Sequence, residues 1–377
     1  MSYNVFTDFH HAGLLQSLIL LFEKRLGGKV YRPIGMEWAE KGYWHVFDHP
    51  ATQAQYLGIG GATPDGTPPL NEIQQILGIE KGCGHSIENQ ICTDCYNSAY
   101  YLRKELIYNC HDIDSGYINK AITFDGFKRM KIDIVIASLP QHIEPYKKLC
   151  ELHPNKPKLI YQVGNAWDIP NNSVRNVMSS AIIPTIPVQI HYIQYHQEFD
   201  LDVFYPIFNQ PYKKVTSFVN CFSIADYMNN DWLLFQQVES LMAEWNFECL
   251  GGQCRDGAAH GNNEVAEKMR QSRFIWHTKY GGDGYGHIIY NSAAVCRPLI
   301  VKKEYYHGKM GEELMIDGET CIAIDGLSPQ DIVTKIQHYN VLENYTRMCQ
   351  NIYVNFKKHV DFEKETERIK VFLTNLR

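Results

Sequence analysis

The sequence predicts an α/β protein made of two doubly wound, parallel-sheet domains that face each other across a cleft. Three observations predict it. The chain has 377 residues, too many for one ordinary core and enough for two. Strand-like and helix-like runs alternate along it, the pattern of a parallel sheet covered by helices. The alternation comes in two sets, and Pro206, Pro211 and the polar residues between them read as the linker that parts them.

The first set opens with a strand over Tyr3–Phe9, a short loop over His10–Gly13, and a helix over Leu14–Leu26 with apolar helical spacing. Gly27-Gly28 ends that helix, and Lys29–Pro33 is the next strand. Gly35 to Gly82 is loop-rich and aromatic. Regular alternation resumes with a buried strand over Ile132–Ser138, a helix over Gln141–Leu152 and a strand over Lys158–Val163. Ala181–Ile190 reads as one more strand. The second set runs strand Val215–Phe222, helix Asp231–Trp245, strand Phe247–Leu250, helix Asn262–Gln271 and strand Arg273–His277. A Gly-rich loop, a helix over Gly286–Val295 and a strand over Pro298–Val301 follow. In such sheets ligands sit at the carboxyl ends of the strands, in the crevice between halves.

Composition narrows the function. The formal net charge is −6, which disfavours nucleic-acid backbone as the partner while leaving room for a local basic cleft. Residues 1–11 do not read as a signal peptide. The most apolar helical stretch, Gly13–Phe22, is interrupted by Gln16 and is about half the length of a membrane span. No transmembrane segment and a cytoplasmic location are therefore expected. Eleven cysteines, an odd number, fit free thiols better than a disulfide framework.

The segment Ser272–Val301 carries the most chemistry. Glycines at 281, 282, 284 and 286 let backbone approach a ligand closely. The helix that begins near Gly286 offers unpaired amides to an anion such as a pyrophosphate. Asp283 sits at its mouth, where a carboxylate can accept hydrogen bonds from sugar hydroxyls. A tight strand-to-helix turn with no ligand would also use such glycines.

The segment resembles the donor signature of the family-four, retaining group of GT-B glycosyltransferases: an acidic residue, Gly-aromatic-Gly, then a second acidic residue eight positions after the first. Asp283-Gly284-Tyr285-Gly286 matches the first part, and Ala294 with Arg297-Pro298-Leu299-Ile300 resembles the second. Glu312–Ile324, Ser328–His338 and Asn344–Leu376 resemble the elements downstream. The resemblance covers 214–377 and reaches the first half only through the loop His11-Ala12-Gly13-Leu14. It implies two Rossmann-like domains: an acceptor-side domain over 1–208, completed by the last helix at about 358–377, and a nucleotide-sugar domain over 209–357. It implies a hexosyltransferase-like enzyme (EC 2.4) that moves a sugar from a UDP- or GDP-sugar to an acceptor hydroxyl with retention, needing no cofactor for catalysis. Asp283 would grip the sugar, and His11 would face the transfer. Gly13, Gly284, Tyr285, Gly286, His287 and Asn291 would line the donor site; His277, just before the loop, either faces the donor or is a buried, satisfied histidine.

The sequence departs from that pattern in three places. Asp283 stands where Glu is usual, and Asn291 where the family has the ribose-binding carboxylate. The family's basic pair after the first strand of the second domain is missing, because no Lys or Arg lies between Lys214 and Arg255. Arg255 and Lys279 are the nearest cations to replace it. Two other classes of function stay open: a GT-B-shaped protein that binds nucleotide or sugar without turnover, and a phage-type glucosyltransferase acting on an extruded nucleic-acid base.

Cys83, His85, Cys92 and Cys95 form C-x-H-x6-C-x2-C, either a structural zinc site or a loop with free thiols. Asp112-Ile113-Asp114 and Asp200-Leu201-Asp202 read as surface turns.

Overall fold

The computed structural model describes residues 2–7, 12–33, 121–122, 124–164, 170, 173–208, 212–259 and 261–377. They form two parallel sheets. The first contains β1 (Asn4–Thr7), β2 (Lys29–Pro33), β3 (Ala121–Ile122), β4 (Ile134–Ala137), β5 (Lys158–Val163), β6 (Asn176–Ser179) and β7 (His191–Gln194), in the order β3-β2-β1-β4-β5-β6-β7. The second contains β8 (Lys214–Ser217), β9 (Asn246–Cys249), β10 (Phe274–His277), β11 (Leu299–Val301) and β12 (Cys321–Ala323), in the order β12-β11-β10-β8-β9. Every strand pair in both is parallel.

The first sheet shows how the period-two alternation of strands sorts side chains between two faces. Val5, Ile134, Ile136, Ile160, Met178 and Ile193 pack on one side, against Leu14, Leu15 and Leu18 of α1 (Ala12–Ile19) and Phe22. Phe6, Val135, Ala137, Tyr161, Val163 and Val177 pack on the other, against α2 (Phe124–Arg129) and α3 (Ile143–Leu152). The helix expected over Leu14–Leu26 is present, but after Ile19 it continues as a π-helical stretch to Arg25. Gly27 ends it at φ +66°. At Gly28 a side chain would collide with the Tyr3 carbonyl, so the close turn into β2 requires glycine.

One expected strand is corrected. Ala181–Ile190 connects β6 to β7 and is not itself a strand. Pro184 and Pro187 cannot donate to a ladder, and the Pro187 carbonyl closes a turn with the Ile190 amide (2.9 Å).

The second sheet is covered by α4 (Asn229–Leu241), α5 (Gly261–Arg270), α6 (His287–Ala294), α7 (Pro329–Asn340) and α8 (Leu342–His359) around one continuous core. The last helix, α9 (Phe362–Thr374), returns to the first sheet. Its Ile369, Phe372 and Leu373 are buried with Val5 and Ile193, each contributing roughly 1.5–3 kcal/mol. The His191 ring stacks on Phe372 at 4.4 Å, and Asn176 binds the Arg377 backbone.

The chain crosses between the sheets after β7, and the crossing is pinned by side chains of the second sheet's elements. Tyr285 Oη donates to the Gln197 carbonyl (3.0 Å), Arg270 to that of Val203 and Arg297 to that of Ile207 (both 2.7 Å). Asp200 caps a turn through the Asp202 amide (2.9 Å). Asp112 and Asp114 lie outside the described residues. No helix among the described residues is long and apolar enough to cross a membrane.

Candidate functional site

In parallel sheets all strands point one way, so α1 and α6, which follow β1 and β10, both start at carboxyl ends, and Gly13 of α1 lies against His287 of α6. Strand β10, Phe-Ile-Trp-His, is buried throughout and delivers His277 to the base of the Gly-rich loop. Thr278 Oγ1 accepts from Trp276 Nε1 (2.9 Å), which fixes the strand's exit. Gly281, Gly282 and Gly286 have φ of +73°, +63° and +83°, values that L side chains rarely adopt. A side chain at 282 would also run into the Tyr305 carbonyl.

This backbone turns Asp283 inward. Its Oδ1 is bound by the Lys279 ammonium, and its Oδ2 lies 3.4 Å from His277 Nε2. Burial pushes the carboxyl up, but His277 and Lys279 outweigh burial and hold it well below the usual carboxylate range. Asp283 is therefore an anion at neutral pH and an acceptor at both oxygens. His277 is 1% exposed, and its ring lies over that of Tyr306 at 5.8 Å.

Gly286 caps α6 in the left-handed region, and the first amides of the helix have no intrahelical acceptor by construction. Asp283, His287 and Asn291 recur every fourth position, so His287 and Asn291 share one face of α6. Asn291 is 6% exposed, and its Oδ1 has no hydrogen-bond partner among the described residues. A buried acceptor left open is costly and is a place for a ligand donor. The His287 ring reaches the first turn of α1: a Cβ on Gly13 would lie 2.6 Å from His287 Nε2, so glycine at 13 admits the ring. Beside it, Asn262 of α5 hydrogen-bonds Gln16 of α1. The N-terminal ends of α1 and α6 thus face each other across the cleft.

The sequence-predicted residues divide. Gly13, His277, Lys279, Asp283, Gly284, Gly286, His287 and Asn291 belong to β10, this loop and its partner helices. Tyr285 is in the loop, but its side chain points away from solvent. It is 3% exposed, stacks on Tyr290 at 4.4 Å and donates to Gln197, so it anchors the loop to the interdomain crossing. Arg255 is engaged by Glu239 (2.7 Å), Asp256 and the Phe247 carbonyl, over the ring of Trp232. His11 and Cys83, His85, Cys92 and Cys95 lie outside the described residues. Among the described residues no group of three or more His, Cys, Asp or Glu is placed to hold a metal.

Sequence reasoning missed two features. Lys309 donates to the carbonyls of Gly281 and Tyr305 and braces the loop; the run of lysines after β11 was its only local signal. The other is a cluster beneath the loop. His196, from the crossing, is bound by Glu365 of α9 at Nδ1 and by Glu313 at Nε2 (2.8 Å). Glu313 also receives Tyr290 Oη (3.0 Å) and faces His359 Nδ1 (3.2 Å). Burial alone would push the His196 imidazole down, but the two carboxylates outweigh it and raise it to about 9.

No protein-family model and no curated protein matches this sequence. Among solved structures, the chain is similar to a glycosyltransferase from Rickettsia africae, at a TM-score of 0.56 and 12% identity over 99% of both chains. It is also similar to HepE of Anabaena, solved in complex with UDP-glucose, at a TM-score of 0.53 and 11% identity over the whole of both chains. With its two facing Rossmann-like sheets, the chain has the GT-B glycosyltransferase fold.

Proposed function

We propose that the protein is a glycosyltransferase that moves a sugar from a nucleoside diphosphate sugar, UDP- or GDP-linked, to an acceptor hydroxyl with retention. The observation that carries the reading is Asp283, an ionised, inward-turned carboxylate at a strand-to-helix turn, followed one helical face along by the open acceptor of Asn291. Nucleotide binding in the structurally similar HepE, solved with UDP and with UDP-glucose, supports the donor class. Resemblance of the 283–300 segment to the family-four signature supports retention.

In this reading Asp283 accepts hydrogen bonds from the sugar hydroxyls and orients the ring. Asn291 binds the ribose, as acceptor and donor. The first amides of α6 receive the diphosphate, with Gly13 opposite, and stabilise the charge that grows on it as the bond to the anomeric carbon breaks. The acceptor oxygen bonds to that carbon, and its proton passes to the leaving phosphate. His11, two positions before Gly13 in sequence, is assigned to the sugar or acceptor by the resemblance.

The test begins with a thermal-shift screen against UDP-, GDP-, ADP- and CMP-sugars, followed by transfer assays on the one that binds. Asp283→Asn keeps the shape and removes the charge, so transfer should fall by about ten- to a thousandfold with folding intact. Asn291→Ala should weaken nucleotide binding by about tenfold. Undiminished transfer in Asp283→Asn would put the site elsewhere. The missing basic pair and the neutral Asn291 favour a second reading, a binder without turnover; donor binding with no transfer or hydrolysis would establish it.

A further inference from the structure

The two oxygens of Asp283 have unlike partners. Oδ2 faces His277, whose side chain is 2% exposed and whose strand is buried throughout. That partner cannot leave without opening the core. Oδ1 is covered by Lys279, whose side chain is 38% exposed. Lys279 stands at the start of the loop, two residues before the positive-φ pair Gly281-Gly282, and its ammonium can swing into solvent at little cost. The neighbouring cation, Lys309, is already committed to two backbone carbonyls. One oxygen of the candidate sugar ligand thus lies against an imidazole that cannot move away, and the other is masked by a removable partner.

A nucleotide sugar carries the matching halves of that ion pair. Its sugar hydroxyls are donors that suit a carboxylate, and its diphosphate is an anion that suits an ammonium. We propose that Lys279 and Asp283 form a displaceable ion pair that the intact donor splits, sugar hydroxyls taking Oδ1 while Lys279 turns to the diphosphate. The inference rests on the glycosyltransferase reading above and goes beyond it in one respect: it makes the pair a device for telling donor from product. The intact donor replaces both halves of the pair. A bare nucleoside diphosphate draws Lys279 away and leaves Oδ1 with nothing but water, so the product competes against the protein's own carboxylate. Loss of the sugar in the transfer step therefore loosens the diphosphate that remains.

The exchange predicts opposite signs for the two halves of the pair. Isothermal titration with UDP and UDP-glucose, and with GDP and GDP-glucose in parallel, reads them out. Lys279→Met should weaken bare UDP or GDP by about tenfold, and Lys279→Arg should stay within about threefold of wild type because it keeps the charge. Asp283→Asn should tighten the bare diphosphate by roughly three- to tenfold, since Lys279 is freed, while weakening the nucleotide sugar. The double variant should bind the bare diphosphate like Lys279→Met alone. A merely structural pair would weaken every ligand in both single variants. Wild-type binding that is unaltered in Lys279→Met, or a bare diphosphate that binds less well to Asp283→Asn, overturns the exchange and leaves the glycosyltransferase reading standing. A wild type that binds none of the four probes removes that reading, and the exchange with it. Circular dichroism of each variant confirms that it has folded.

Discussion

Two clusters in this protein pair carboxylate with histidine, and they are built in opposite senses. At the cleft, one carboxylate, Asp283, sits between a buried imidazole and a solvent-exposed ammonium. At the crossing between the sheets, one imidazole, His196, sits between two carboxylates, and these are further engaged by Tyr290, His359 and the His196 amide. The first arrangement has a bond that a ligand can replace. The second is satisfied by the protein alone and joins five parts of the chain: the crossing, α6, the turn Met310–Leu314, α8 and α9. A charged cluster with a replaceable partner suits binding, and a saturated one suits holding domains in register.

The largest effect that would sharpen this contrast is on stability. His196→Leu leaves Glu313 and Glu365 facing each other without their shared cation, at a cost of about 3 kcal/mol. Lys279→Met removes a half-exposed partner and should cost under about 1 kcal/mol. Urea melts of the two variants compare them, and equal losses would erase the distinction.

The clusters should also fail at opposite ends of the pH scale. The folded-state pKa of His196 is raised to about 9 from 6.5, so its stabilisation is complete below about pH 6.5 and is lost as pH rises through 9. The loss is on the order of 3 kcal/mol. The groups around it that take part are Glu313, Glu365, His359 and Tyr290, with the Arg25–Glu198 pair nearby. Asp283 is depressed, so its stabilisation is present above about pH 4 and fades as pH falls below that. Chemical denaturation at a series of pH values should show the alkaline slope vanish in His196→Leu and persist in Asp283→Asn.

Smaller effects probe the links between the clusters. Tyr285→Phe removes the bond from the Gly-rich loop to the Gln197 carbonyl and should cost about 1 kcal/mol, with any transfer activity falling alongside stability. Gly13→Ala should separate the two. Alanine favours a helix by up to about 1 kcal/mol over glycine, so stability should hold or rise. The His287 ring must move to admit the new methyl, and transfer should drop several-fold. A drop in both, measured by melting and by assay, would mean that Gly13 has a fold role instead.

How much of this the sequence showed depends on distance along the chain. Strands β2 and β5 were legible to the residue because their ends are marked: Gly27-Gly28 precede Lys29–Pro33, and Pro157 and Gly164 bracket Lys158–Val163. The loop from Lys279 to Gly286 was legible because its chemistry is local: glycines, a carboxylate and a helix start within a few positions. Strands β6 and β7 were not. Asn-Val-Met-Ser and His-Tyr-Ile-Gln are short and partly polar, and the polar ends are satisfied by distant partners, such as Arg377 for Asn176. The His196 cluster left no trace for the same reason. Its partners lie 117 and 169 positions away, and no spacing rule connects them. The engagement of Arg255 by Glu239 is likewise a matter of packing, invisible to a search for the nearest free cation.

The return of α9 to the first sheet has a consequence for synthesis. Strands β1, β4, β5, β6 and β7 leave the ribosome early, but the apolar face that includes Val5 and Ile193 receives Ile369, Phe372 and Leu373 only when the last helix emerges. At roughly 5–20 residues per second, the intervening stretch of about 180 residues takes roughly ten to forty seconds to translate. For that interval the nascent first domain carries an uncovered apolar surface, and the second domain folds beside it. A stop codon just before Phe362 would make that interval permanent, giving a product with both sheets and a greasy flank. Such a product should depend on chaperones for its solubility.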